Sequence, residues 1–100
     1  MYERKILLGF IRAHILHHAV KDGSIYGAEM MVELKRHGYD ISPGTLYPIL
    51  HEMEDGGLLE SETMTVKGKV RKLYRPTAEG ERSLEKMKEF IKELAEEVTL

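Results

Sequence analysis

The sequence contains no cysteine and no tryptophan among its 100 residues. Without cysteine, a disulfide framework, a thiolate nucleophile and every zinc site that needs sulfur ligands are excluded, which fits a reducing environment. The longest apolar stretch, from about Ile6 to Leu16, is interrupted by Arg12 and His14. It is too short to cross a bilayer, and no small-residue cleavage site follows it. We therefore expect a cytoplasmic protein with no membrane partner.

Catalytic motifs are lacking as well. The sequence has no nucleophile elbow, no phosphate-binding glycine loop and no carboxylate pair singled out by its position. We therefore expect no enzymatic activity, no catalytic residue and no cofactor.

What is present is a short, folded chain whose charge is unevenly distributed. Hydrophobic residues make up 42% of the sequence and charged residues 32%, with a net charge of −2. Between Lys67 and Arg75 lie five cations and no acid, whereas seven carboxylates and four cations lie between Glu79 and Glu97. Such a basic segment favours an anionic partner. A chain of 100 residues buries only a modest core, so we also expect a dimer.

The first two predicted helices precede a short turn. The first runs from about Glu3 to Val20 and is apolar nearly all round, which indicates burial on more than one side. The second covers roughly Tyr26 to His37, and Gly38 ends it as a C-terminal glycine does.

A third helix is predicted to start at Ser42 and Pro43, a good N-cap and a good first residue, and to stop at Gly56. Pro48 predicts some distortion of its first two turns, because proline lacks the N–H group that a helix needs. The residues of its inner stripe follow helical spacing and are Leu46, Ile49, Leu50 and Met53.

The remaining sequence predicts a β-hairpin and a last helix. Strands over Leu58 to Val66 and Val70 to Arg75 flank a turn at Lys67-Gly68-Lys69, and Thr77 can cap the helix that follows. That helix carries an apolar seam at heptad spacing. Together with Ile6 and Phe10 of the first helix, the seam is the predicted dimer interface, and its residues are Leu84, Met87, Ile91, Leu94 and Val98.

This order of elements predicts a mainly α fold with a small β-hairpin, a winged helix-turn-helix. Residues 1–76 would form the DNA-binding domain, and residues 77–100 a dimerisation helix packed on the same domain. A winged-helix module that binds another protein is an alternative function.

The third helix and the hairpin supply the candidate DNA contacts. Gly44, Tyr47, Pro48 and His51 lie opposite the inner stripe, with Thr45 at the flank, and free N–H groups at the helix start attract phosphate. A good helix start with an ordinary half-buried tyrosine is the competing interpretation. For the basic hairpin, the alternative is a solvated edge strand that lysines protect from aggregation.

Histidines on the first helix raise a metal hypothesis. His14 and His18 are spaced i, i+4 and could share a ligand, with His17 between them. No carboxylate or cysteine stands at a supporting spacing. Packing or interface histidines are therefore favoured, no metal ligand is assigned, and a metal-sensing DNA-binding regulator stays an alternative.

Four segments of the sequence resemble the PadR family of bacterial and archaeal transcriptional regulators. They are Tyr26-Gly27-x-Glu29, Ser42-Pro43-Gly44-Thr45-Leu46-Tyr47-Pro48-Ile49-Leu50, Glu54-x-Gly56-Gly57-Leu58 and Arg71-Lys72-x-Tyr74-x-x-Thr77-x-x-Gly80. The resemblance implies a winged helix, a homodimer built from the terminal helices, a palindromic operator on double-stranded DNA, and usually repression relieved by a small-molecule effector. The single last helix is similar to the short subfamily.

The resemblance completes the set of predicted DNA contacts, which are Tyr26, Ser42, Gly44, Thr45, Tyr47, Pro48, His51, Lys67, Lys69, Arg71, Lys72 and Tyr74. The dimer interface is the candidate effector site. Two departures limit the comparison. Pro76 stands where the family usually has a leucine, and the tryptophan with which short members commonly hold flat aromatic drugs is missing.

Overall fold

A computed structural model describes residues 2–100 of the protein. In chain order its elements are α1 (Tyr2–Asp22), β1 (Ile25–Tyr26), α2 (Gly27–Arg36), α3 (Pro43–Asp55), β2 (Leu59–Val66), β3 (Lys69–Pro76) and α4 (Ala78–Val98). The strands form one antiparallel sheet in the order β1-β3-β2. The predicted mainly α fold with a winged hairpin is confirmed. No helix among residues 2–100 combines the length and the hydropathy that spanning a membrane requires.

The core lies where α1, α2 and α3 meet the sheet. All four residues of the predicted inner stripe of α3 are at most 4% exposed. They pack with the buried face of α1, to which Ile11, Ile15 and Ala19 contribute. Arg12 braces the same two helices from outside, since its Nη2 atom lies 2.8 Å from Glu52 Oε1. The core therefore fixes how α3 is presented on the surface.

Backbone conformation and hydrogen bonds define the turn between α2 and α3. Gly38 adopts φ +90°, and the N–H group of Tyr39 donates to the carbonyl of Leu34 at 3.0 Å, which ends α2. Ser42 is the extended N-cap residue of α3, but its hydroxyl makes no capping hydrogen bond. The helix nevertheless runs without a break through Pro48.

The hairpin turn is tighter than predicted. Val66 pairs with Lys69, and both Lys67 and Gly68 have positive φ, at +50° and +80°. Two such residues make the turn whose twist matches that of the flanking strands. At the far end of the hairpin, Pro76 pairs with Leu59, so this proline does not shorten β3.

Strand β1 is an element that the sequence did not predict. Ile25 and Tyr26 pair with Tyr74 and Leu73 of β3, whereas the sequence predicts that Tyr26 starts the second helix. A strand of two residues has no periodicity of its own, so only its long-range partner defines it.

Helix α4 is anchored at its start and free of the core beyond it. The Thr77 cap is confirmed, because the N–H group of Gly80 donates to Thr77 Oγ1 at 3.0 Å. A Cβ atom on Gly80 would lie 2.1 Å from the carbonyl oxygen of Leu58, which explains the glycine. Leu84 is 4% exposed and packs in the core of its own chain, so its assignment to the dimer interface is wrong.

Candidate nucleic-acid interface

The outward face of α3 is open to solvent. Gly44, Tyr47, Pro48 and His51 are all exposed, as the helical spacing predicted. The uncapped hydroxyl of Ser42 is exposed at the start of the same helix. Free backbone N–H groups and hydroxyls at a helix N-terminus are the groups that bind phosphate oxygens.

Tyr47 rests on the start of α2. A Cβ atom built on Gly27 would lie 2.3 Å from Tyr47 Cε1 and 2.6 Å from its hydroxyl oxygen. The ring therefore occupies the space that any other residue at position 27 would fill, and 42% of Tyr47 stays exposed. Gly27 thus sets the position of an aromatic side chain on the surface of α3.

The hairpin carries its positive charge at the tip. Lys67 and Lys69 are exposed in the turn region, and we call them the tip lysines. Arg71 lies over the ring of Tyr26, 5.0 Å from its centre, which ties β3 to β1 by a cation–π contact. Arg75 is paired with Glu62 from the facing strand, so the base of the hairpin is close to neutral.

Glu54 joins α3 to the hairpin. The hydroxyl of Ser61 donates to Glu54 Oε2 at 2.6 Å, and Lys72 Nζ lies 3.5 Å from Glu54 Oε1. The hydrogen bond from Ser61 has the largest effect on the pKa of Glu54 and lowers it. Burial raises the pKa by a smaller amount, the Lys72 charge lowers it further, and the pKa stays below its ordinary value. The sequence offered Glu54 only as part of a motif, without this role.

Tyr74 is not available as a DNA contact. It is 2% exposed and belongs to the core, so its place among the predicted contacts is wrong. It is the one buried residue of β3, and its neighbours Leu73 and Arg75 are partly exposed. Lys72 Nζ lies 5.3 Å from the centre of the Tyr74 ring.

Arg4 is a cation beside α3 that the sequence did not reveal. Its Nη2 atom donates to Thr45 Oγ1 at 3.2 Å, across 41 positions of sequence. The contact places a guanidinium next to the N-terminus of α3, where the hydroxyl of Ser42 makes no capping hydrogen bond. Periodicity and local motifs carry no information about a contact of this separation, so only the fold reveals it.

One cleft brings the helix and the hairpin together. Tyr26, Tyr47, His51, Arg71 and Lys72 all line it, so residues of β1, α3 and β3 share one surface. In such a cleft the aromatic rings can pack against DNA, the imidazole can bond to base edges in a groove, and the cations can bind phosphate.

A second surface lies between α1 and α4. The predicted interface residues Ile6, Phe10, Met87, Ile91, Leu94 and Val98 are between 40% and 68% exposed. A groove of about 470 Å³ runs between the two helices, with Phe10, Ile91 and Leu94 among its lining residues. This volume falls within the range of small-molecule sites, about 300–1,000 Å³.

The histidines of α1 separate into two environments. His17 is exposed, whereas His14 and His18 lie close to His37, with the His14 and His37 ring centres 4.9 Å apart. Burial, followed by the nearby His37 and His18, lowers the pKa of His14. Burial and the neighbouring His18 also lower the pKa of His17.

Comparison with known proteins identifies relatives of this arrangement. Residues 15–86 match the model described as "Transcriptional regulator PadR-like family". The transcriptional regulator Rv3488 of Mycobacterium tuberculosis is 50% identical over 88 residues, which are 88% of this chain and 81% of the relative. The transcriptional activator GvpE2 of Halobacterium salinarum is 36% identical over 73 residues, 72% of this chain and 35% of that protein. A crystal structure of a PadR-like transcriptional regulator from Bacillus cereus superposes with a TM-score of 0.85 at 29% identity, covering 95% of this chain and 93% of the other.

Proposed function

The chain belongs to the transcriptional regulator PadR-like family, and on that premise we propose that it is a repressor that binds a palindromic operator as a homodimer. Membership makes the protein a DNA-binding transcriptional regulator and not an enzyme. Because its target is chromosomal DNA, we place its action in the cytoplasm.

The shared cleft is the observation that carries this proposal. A helix end reads base edges only where it reaches a groove, and a wing contributes only where it reaches the flanking backbone. Tyr47 of α3 and Arg71 of the hairpin line the same cleft, so one duplex can meet both. The proposed contacts from the helix and from the wing are Tyr26, Ser42, Gly44, Thr45, Tyr47, Pro48, His51, Lys67, Lys69, Arg71 and Lys72, with Arg4 added beside Thr45.

The dimer is proposed to form through α1 and α4. In this arrangement residues 1–76 bind DNA, and residues 77–100 supply the helix that pairs with the second copy. The exposed apolar residues on both helices support this, because a monomer would leave them in water. The groove between α1 and α4 is the proposed effector site, where a bound molecule would change the angle between the subunits and release the operator.

Selection of DNA ligands tests the proposal. Random duplexes are passed over the immobilised protein, and the retained sequences are read after several rounds. We expect enrichment of one palindromic sequence, which then binds with a dissociation constant of about 10⁻⁸–10⁻¹¹ M. Retention without any enriched sequence, or no retention at all, would overturn sequence-specific binding and favour a winged-helix module that binds protein.

A further inference from the structure

A cluster of nitrogen ligands lies between α1 and α2, away from the cleft. His14 and His18 come from one face of α1, and His37 follows the last residue of α2. One ring nitrogen from each of the three lies within 4.8 Å of the others. None of the three lines the cleft between α3 and the hairpin. His14 also borders the groove between α1 and α4, but none of the three is a proposed DNA contact or dimer-interface residue.

Glu33 lies beside the cluster, a carboxylate that the sequence spacing does not predict there. Glu33 Oε1 lies 3.4 Å from His37 Nε2 and 3.9 Å from His18 Nε2. Sequence spacing did not reveal it because Glu33 and His37 lie on α2 and at its end, and only the packing of α2 against α1 brings them to the histidines. Arg36 contacts the other oxygen, Oε2, at 3.4 Å, so Oε1 is the oxygen that faces the imidazoles.

These distances are close to those of a tetrahedral metal site. Neighbouring ligand atoms around a zinc ion bonded at about 2.1 Å are about 3.4 Å apart. The Glu33 contacts to His37 and His18, at 3.4 and 3.9 Å, are near this separation, and the nitrogens, which lie within 4.8 Å of one another, would approach by up to about 1.4 Å through side-chain rotation. His37 is 46% exposed and gives an ion access from solvent, whereas His18 is only 12% exposed.

The donor set selects the class of metal. Imidazole nitrogens suit zinc, nickel, cobalt and copper, whereas calcium and magnesium take oxygen ligands. Asp22 Oδ2 lies 4.0 Å from His18 Nδ1, on the ring nitrogen that does not face Glu33. This distance is too long for a hydrogen bond, but Asp22 places a negative charge on the side of His18 where outer carboxylates of metal sites stand.

We propose that His14, His18, His37 and Glu33 form a site for one divalent transition-metal ion of the zinc class. The ion would link α1 to the end of α2 and so stabilise the packing that supports the helix-turn-helix. The site contains no proposed DNA contact, and metal binding is measured without operator or effector, so its test can fail while the proposed function stands.

The test uses the untagged, full-length protein after removal of metal with a chelator. Cobalt(II) is titrated in while its visible absorption is followed, and zinc is then added in competition and measured by calorimetry. We expect one ion per subunit, a tetrahedral cobalt spectrum, and a melting temperature that rises with zinc concentration because the ion binds only the folded state. Absence of saturable binding at millimolar cobalt and zinc would overturn the proposal.

Three variants assign the ligands. His37→Ala removes a half-exposed side chain, and Glu33→Gln keeps the shape of the residue, so circular dichroism should show both folded. We expect zinc affinity to fall at least about 100-fold in His37→Ala and about 10- to 100-fold in Glu33→Gln. His17→Ala, which changes an exposed histidine next to His18, is the matched control and should bind like the parent. Unchanged affinity in folded His37→Ala, or a loss in His17→Ala equal to that in His37→Ala, would overturn this ligand set.

Discussion

At the scale of single residues, the position of the Tyr47 ring depends on residue 27 being glycine, which has no side chain. The ring lies against Gly27, and a Cβ atom there would meet it at 2.3 Å. Since 42% of Tyr47 is exposed, the ring can swing away from a larger residue at little cost to folding. A change at Gly27 should therefore act on DNA binding by moving Tyr47.

The first prediction concerns Gly27→Ala and Tyr47→Ala. Each should weaken operator binding by about 1–3 kcal/mol, the magnitude of one lost contact. The double variant should lose little more than either single variant, because both remove the same interaction. Fluorescence anisotropy with operator DNA measures all three.

Gly9→Ala is the control for this cycle, because a Cβ atom on that exposed glycine meets nothing within 4 Å. Its operator affinity should equal that of the parent. Fully additive losses at positions 27 and 47 would show that Gly27 does not act through Tyr47. Unfolding of Tyr47→Ala would make Tyr47 a core residue instead of a DNA contact.

The second prediction concerns Glu54, whose pKa is held below its ordinary value of 4.5 by the Ser61 hydrogen bond and the Lys72 charge. A carboxyl group with a lowered folded-state pKa stabilises the protein above the unfolded value and loses this contribution as the pH falls through the folded value. Glu54→Gln should therefore cost about 1 kcal/mol of unfolding free energy at pH 7 and less as the pH drops below about 4.

Urea unfolding at several pH values measures this difference, with Glu60→Gln on the exposed side of the hairpin as control. The control should change stability by less than about 0.5 kcal/mol at every pH. A Glu54→Gln deficit that stays constant down to pH 3 would contradict the role of the ionised carboxylate.

At the scale of elements, helical and hairpin segments were predictable because their patterns are local. The inner stripe of α3 follows the 3.6-residue period, and the hairpin is flanked by β-branched runs with a glycine turn. Strand β1, the Arg4 contact with Thr45 and the position of Glu33 beside His18 all depend on the packing of distant segments. The burial of Tyr74 also depends on packing, because the motif that places it among the contacts does not show which face of β3 the core covers.

The third prediction concerns the hairpin as a flexible source of charge. Replacing both tip lysines, Lys67→Gln with Lys69→Gln, removes two cations while leaving the Arg71 contact with Tyr26 intact. Binding to all DNA sequences should weaken, and the log–log salt slope should fall by about two units if both contact phosphate.

Binding titrations from low to moderate salt give the slope. The control variant, Lys86→Gln with Lys92→Gln on α4, removes the same charge outside the proposed DNA interface. It should leave the salt slope nearly unchanged. Equal slopes for the tip variant and the parent would exclude the wing from phosphate binding.

At the scale of the whole molecule, the chain is more extended than its size requires. The radius of gyration is 14.0 Å, against about 13 Å for a compact domain of 100 residues. Helix α4 accounts for this, because its residues beyond Leu84 are exposed while the seam continues to Val98. An extended apolar helix is what a second copy would cover.

The fourth prediction follows from that surface. Ile91→Glu places a charge in the seam at a residue that is 49% exposed in the single chain, so the fold should persist. Burial of an unpaired carboxylate is costly, so the dimer should dissociate. Sedimentation at micromolar concentration should give the mass of a monomer, and operator affinity should fall with it. Val32→Glu, at an apolar residue of α2 that is 62% exposed, is the control and should stay dimeric.

The central claim is that two subunits each present α3 and a wing to successive turns of one operator. Hydroxyl-radical footprinting of the wild-type protein on the selected operator tests it most directly. We predict two protected patches on one face of the duplex, symmetric about the centre of the palindrome and about 10–10.5 base pairs apart, as two recognition helices about 34–36 Å apart would give. A single protected patch, or two patches without this symmetry, would contradict the claim.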